Sequence, residues 1–163
     1  MKSKIIASLL AVTALSLSAV AYAGAGHKHG EAMGSHDEHA SAIGVPGDPA
    51  KVTRTINLDM SDTMRFSLDK VAVKRGETIK FVVKNSGKLK HEMVLGSAAE
   101  LKEHADMMRK MPDMAHADSN MVSVEPGKTG ELVWQFTKAG AFDFACLQPG
   151  HFEAGMKGKV AVK

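Results

Sequence analysis

The chain has 163 residues, with 21 Lys and Arg against 18 Asp and Glu, and a formal charge of +3 at neutral pH. That length suits one domain with a real core, and so slight a positive excess gives no sign of nucleic-acid binding. One cysteine, Cys146, excludes any centre built on two thiolates.

The first residues read as an export leader. Lys2 and Lys4 precede a small, apolar run from Ile5 to Val20, and Ala21-Tyr22-Ala23 has the small-x-small form of a cleavage site. The expectation is a signal peptide over residues 1–23, cleaved near Ala23, with the mature chain in the periplasm. The alternative is an uncleaved membrane anchor; no other segment is apolar for long enough to span a bilayer. Without Lys2 and Lys4 the charge falls to +1, and about 140 residues remain.

Residues 24–50 are rich in Gly, Ala, His and acid and show no periodicity. They read as a flexible tail bearing His27, His29, Met33, His36 and His39. From residue 51 onward the pattern is that of one folded domain, 51–163. Val52, Ile56, Leu58 and Met60 alternate with polar residues, which predicts a half-buried strand. Further strands are predicted at 64–68, 71–73, 78–84 and 91–95, separated by Lys-Arg-Gly-Glu and Asn-Ser-Gly-Lys turns.

A helical insert follows. Ser97 with Glu100 forms a capping box, Ala98, Leu101, Ala105 and Met108 share one face, and Pro112 ends the helix. Strands resume at 121–124, 131–136, 141–146 and 158–162, with Gly or Pro turns between them. Short strands at this spacing predict an all-β, antiparallel sandwich.

The chemistry concentrates in Cys-Leu-Gln-Pro-Gly-His-Phe-Glu-Ala-Gly-Met, residues 146–156. Phe142, Phe144 and Cys146 fall on one strand face, so the thiol points as core side chains do. Pro149 and Gly150 suit a turn that brings His151 back toward Cys146, and a second short loop returns Met156. A thiolate, an imidazole and a thioether make up part of a copper set, which still needs a second imidazole. His91, at the start of a predicted strand, is the best candidate. A buried structural thiol and a nucleophilic Cys–His pair are the other readings of Cys146. The first ignores the neighbouring donors, and the second leaves Met156 unexplained. A lone thiol in an oxidising compartment also calls for an occupant, and a metal ion is one.

Cys146-x4-His151-x4-Met156 with an upstream His91 resembles the cupredoxins, the small blue-copper proteins, over about residues 51–163. The loop spacing is similar to that of auracyanin- and rusticyanin-like members. The Met-rich insert, the His-rich tail and the Lys-His-Glu-Met-Val-Leu-Gly stretch look closest to periplasmic CopI-type copper-tolerance cupredoxins. The resemblance implies a Greek-key β-sandwich with a helical Met-rich insert. It also implies one type 1 copper ion on His91, Cys146, His151 and Met156. One departure stands out: Glu92 follows His91 where many cupredoxins carry Asn or Ser, a residue that ties the ligand loops together.

The implied role is copper handling and tolerance, with a mobile electron carrier for a periplasmic redox enzyme as the alternative. Its partners would be copper ions and a periplasmic redox or copper-trafficking protein, with no nucleic acid and, after leader cleavage, no membrane. An oxidase or reductase fragment would place a histidine beside the cysteine, but Ala145 and Leu147 stand there, so no enzymatic turnover is expected. His104, Met107 and Met111, with Met114, His116 and Met121 beyond, read equally as core packing or as a further weak copper surface. The tail histidines read as a copper-collecting tract or a solvated linker. Met93 reads as a packing residue or a further donor.

Overall fold

Alternation of apolar and polar side chains is realised in strands that stack into two layers. The structure, a computed structural model, describes residues 42–111 and 117–163. The expected leader, the tail histidines with Met33, and Pro112, Met114 and His116 lie outside the described residues. Among those described, the elements run β1 (Gly44–Pro46), β2 (Arg54–Ser61), β3 (Arg65–Phe66), β4 (Lys70–Val73), β5 (Thr78–Asn85) and β6 (His91–Gly96), then α1 (Ala98–Lys110), β7 (Met121–Val124), β8 (Thr129–Phe136), β9 (Gly140–Ala145) and β10 (Lys157–Val162).

One sheet has the order β1-β8-β5-β2-β3, and the other β4-β10-β9-β6-β7. Their apolar faces meet in one cluster: Leu58, Met60, Ile79, Phe81, Trp134 and Phe136 from the first sheet, Met93, Leu95, Phe144 and Val160 from the second. Phe66 and Phe144 join the layers edge to face, with ring centroids 4.9 Å apart. Pairing is mostly antiparallel, as expected, but each sheet holds one parallel pair, β2 with β5 and β4 with β10. The chain visits the second sheet through β4 before returning as β5, and such a crossover brings strands back in parallel.

The folded domain starts earlier than residue 51. β1 lies inside the stretch expected to be a flexible tail and pairs with the end of β8, Gly44 opposite Phe136 and Pro46 opposite Trp134. Ile43 beside it is fully buried. Glycine is required at 44, since a Cβ there would lie 2.1 Å from the Gln135 carbonyl oxygen. Two prolines disguised this segment, yet proline is tolerated at the end of an edge strand, where no ladder donor is needed.

α1 carries the expected capping box: the Glu100 amide donates to Ser97 Oγ at 3.2 Å, and the Ser97 amide to Glu100 Oε2 at 2.7 Å. Leu101, Ala105 and Met108 are buried, whereas Ala98, in the first turn, is exposed. Leu101 and Ala105 pack on Val94, Ala145 and Leu147, with Phe152 and Met121 at the margin. The helix therefore covers the outer face of β6 and β9, while Phe144 and Cys146 face the interior. No helix among the described residues is long and apolar enough to cross a membrane.

Replacing Ile43 with Ala should lower stability by about 2–4 kcal/mol in denaturant titrations, the range for emptying a buried aliphatic site. A change within about 0.5 kcal/mol, typical of exposed positions, would return residues up to 50 to the tail.

Candidate metal centre

β9 ends at Ala145, which pairs with Lys157 at the start of β10, so residues 146–156 form the connecting loop. The Cys146 amide donates to the Met156 carbonyl at 3.0 Å and closes its mouth. Inside it, His151 donates to Gln148 O at 2.9 Å and Met156 to His151 O at 3.0 Å, which fold the loop back on itself. Gly150 and Gly155 take φ values of 85° and 93°, the left-handed conformation that glycine adopts freely. From outside, Arg65 Nη1 donates to Ala154 O at 2.9 Å.

The loop brings its donors to the first residue of β6. Cys146 Sγ lies 3.3 Å from His151 Nδ1 and 3.9 Å from His91 Nδ1. One ligand atom from each of His91, Cys146 and His151 lies within 4.8 Å of the others. The imidazole rings are 4.9 Å apart and tilted by 49°. His91 and Cys146 are fully buried, and His151 is half-buried, the member of the group nearest solvent. Met156 is also fully buried and belongs to the same core cluster as Cys146.

The environment of each donor sets its proton affinity. Burial pushes the Cys146 thiol up to about 12, although the Glu92 amide, donating to Sγ at 3.4 Å, works the other way. Burial lowers the His151 value, and the neighbouring His91 lowers it further. Asp62 is held below the usual carboxylate range, first by the Lys88 backbone amide and then by its contact with His91.

Glu92, the departure noted in the sequence, is itself a tie between the ligand segments. It is 1% exposed. Its Oε1 accepts from the Leu147 amide at 3.1 Å. Its Oε2 accepts from Gln148 Nε2 at 2.9 Å and from Ser123 Oγ at 3.3 Å. A glutamate thus spans β6, β7 and the loop beyond Cys146.

Two contributors carried no sequence signal. Asp62 Oδ1 sits 3.1 Å from His91 Nε2 but lies in a short turn remote from any motif. Arg65 is one of many surface cations until the fold brings it to the loop. Met93 is a core residue, fully buried. In the insert, Met108 is buried, His104 and Met107 are half-buried and Met111 is exposed.

The sequence model of the family described as copper binding proteins, plastocyanin/azurin family, matches residues 52–163. The chain belongs to this family. It is 54% identical to the "Copper-resistant cuproprotein CopI" of Rubrivivax gelatinosus, with all of both chains covered. It is 40% identical to the protein of that description from Vibrio cholerae, over 78% of this chain and 75% of the relative. In architecture it is similar to reduced auracyanin from Roseiflexus castenholzii, with a TM-score of 0.59 and 21% identity over 69% of this chain and 98% of the other. The cupredoxin sandwich expected from the sequence is thus the observed fold. The donor set fits the family's metal: a soft sulfur with two imidazoles suits copper in both of its common oxidation states. The cofactor of this centre is one copper ion.

Two outcomes follow from this geometry. Glu92→Ala leaves the buried Leu147 amide without its acceptor and should cost about 1–3 kcal/mol in thermal or denaturant unfolding. The second concerns the metal-free fold. Below the ordinary thiol value near 9, Cys146 is protonated whether folded or unfolded, so stability is indifferent to it. Between about 9 and 12 the unfolded chain releases this proton while the folded one keeps it, so stability declines as pH rises. The slope should approach about 1.4 kcal/mol per pH unit, and Cys146→Ala should remove that part of the decline in pH-dependent unfolding curves.

Proposed function

We propose that this chain is a periplasmic blue-copper protein that holds one ion at a type 1 centre and serves copper handling and tolerance. His91, Cys146 and His151 would hold the ion through two imidazoles and a thiolate, and Met156 would add a thioether. The convergence of the three donors from strand β6 and the 146–156 loop carries this reading. The burial of Met156 in the core cluster that holds Cys146 supports its part as a further sulfur donor. Copper bound there would supply one-electron redox chemistry. The protein's part is to exclude water, with His91, Cys146 and Met156 all buried, and to keep the donors in place through Glu92, Arg65 and the Cys146–Met156 backbone bond.

The tolerance role rests on the full-length likeness to a copper-resistant cuproprotein, together with the histidines and methionines outside the centre. The leader-like first 23 residues support export to the periplasm. A second reading, electron transfer to a redox protein, draws on His151, whose half-buried ring offers an edge toward solvent. No substrate turnover beyond copper redox exchange is expected.

Visible and EPR spectra of the copper-loaded chain, with metal counted per chain, test the centre. Cys146→Ala should abolish the strong thiolate-to-copper absorption, whereas Met156→Leu should keep a coloured site with a shifted potential. Colour that survives Cys146→Ala refutes the assignment. For the role, a strain carrying Cys146→Ala should be as copper-sensitive as one lacking the protein. Normal copper tolerance with slowed periplasmic electron transfer would favour the carrier.

A further inference from the structure

We infer that Asp62 is a positioning residue of the copper centre: its carboxylate holds the outer nitrogen of His91, leaves Nδ1 as the nitrogen offered to the ion, and favours the cupric over the cuprous state. This rests on the reading above that His91 is a ligand.

The two nitrogens of His91 have different neighbours. Nδ1 lies 3.9 Å from Cys146 Sγ, and Nε2 lies 3.1 Å from Asp62 Oδ1. An ionised carboxylate only accepts hydrogen bonds, so this contact favours the tautomer with its proton on Nε2 and the Nδ1 lone pair toward the cluster. The ring is fully buried and has little freedom to flip.

Asp62 is itself built into place. Its Oδ2 accepts from the Lys88 amide at 2.8 Å and its Oδ1 from the Leu89 amide at 3.3 Å. It lies in the turn after β2, which the Met64 amide closes on Ser61 O at 3.0 Å. The facing loop is cut to admit the carboxylate. At Gly87 a Cβ would fall 2.0 Å from Asp62 Oδ1 and 2.8 Å from its Cγ. That loop is braced by Asn85, which is fully buried. Asn85 Oδ1 accepts from the Gly87 amide at 2.9 Å, and its Nδ2 donates to Leu89 O at 2.8 Å and Val124 O at 2.9 Å. Asp62 lies at the surface and is exposed, yet an incidental contact there needs none of this support. The loop between β5 and β6 is shaped around the carboxylate, and the carboxylate around His91.

The electrostatic consequence follows from charge. A fixed negative charge one imidazole away attracts a dipositive ion more than a monopositive one. A carboxylate on the outer nitrogen also makes the ligating nitrogen a stronger donor.

The test compares the copper-loaded chain with its Asp62→Asn variant, which keeps an acceptor but loses the charge. Cu(II) affinity should fall roughly 10–100-fold, the usual cost of losing such an outer partner. Cu(I) affinity should fall less, so the reduction potential rises while the thiolate absorption remains. An unchanged or lowered potential, or equal losses in both oxidation states, overturns the inference. If the wild-type protein itself forms no coloured centre, the type 1 reading fails instead. A second measurement needs no variant: nitrogen-15 NMR of the metal-free wild-type chain at neutral pH should find His91 protonated on Nε2. A proton on Nδ1 would refute the positioning role even if Asp62→Asn failed to fold.

Discussion

The buried carboxylate of Glu92 joins the two parts of the chain that must meet. β6 delivers His91 and Glu92 side by side, and in a strand neighbouring residues point to opposite faces. His91 therefore reaches the interior toward Cys146, while Glu92 turns outward and takes the Leu147 amide and the Gln148 side chain. One strand supplies both a donor and the clamp on the loop that brings the others. Without the clamp, a loop with glycines at 150 and 155 would rely on its own backbone bonds and the Arg65 contact, and would have more conformations available.

β9 depends on a second division of faces. Phe144 and Cys146 belong to the sandwich interior, whereas Ala145 and Leu147 lie beneath α1. The insert is thus part of the wall behind the cysteine as well as a carrier of methionines. Its end also reaches the ligand loop, through an ion pair between Arg109 and Glu153 at 3.3 Å. Such exposed pairs contribute little stability. The packing of Leu101 and Ala105 is what holds the helix in place.

Much of this was legible in the residues. The strands from 54 to 136 fall close to their expected places, although β6 is buried at all six positions and β3 is only two residues long, and the Ser97–Glu100 cap marked the helix start to the residue. The spacing in residues 146–156 pointed to a metal loop because cysteine, histidine and methionine are scarce and chemically distinct. The demand for a second imidazole pointed to His91, and the fold sets its Nδ1 3.9 Å from Cys146 Sγ. The remainder depends on tertiary neighbours. β1 lacks the length and β-branched content that would announce a strand, and only Ile43 and the edge of β8 make it one. Asp62 reads as an ordinary turn residue, because nothing local says that a loop 26 residues later will cradle it. Glu92 was noticed as an anomaly, yet its partners are 31 to 56 residues away.

The depth at which the lone sulfur sits also governs what the protein can survive before it has taken up any ion. Oxidants and other thiols react with an accessible thiolate. Cys146 is 0% exposed and keeps its proton up to about pH 12. Burial and a retained proton therefore slow both coupling through sulfur and attack on peroxide, since each needs an accessible thiolate. The fold thus shields its lone thiol even before an ion is bound.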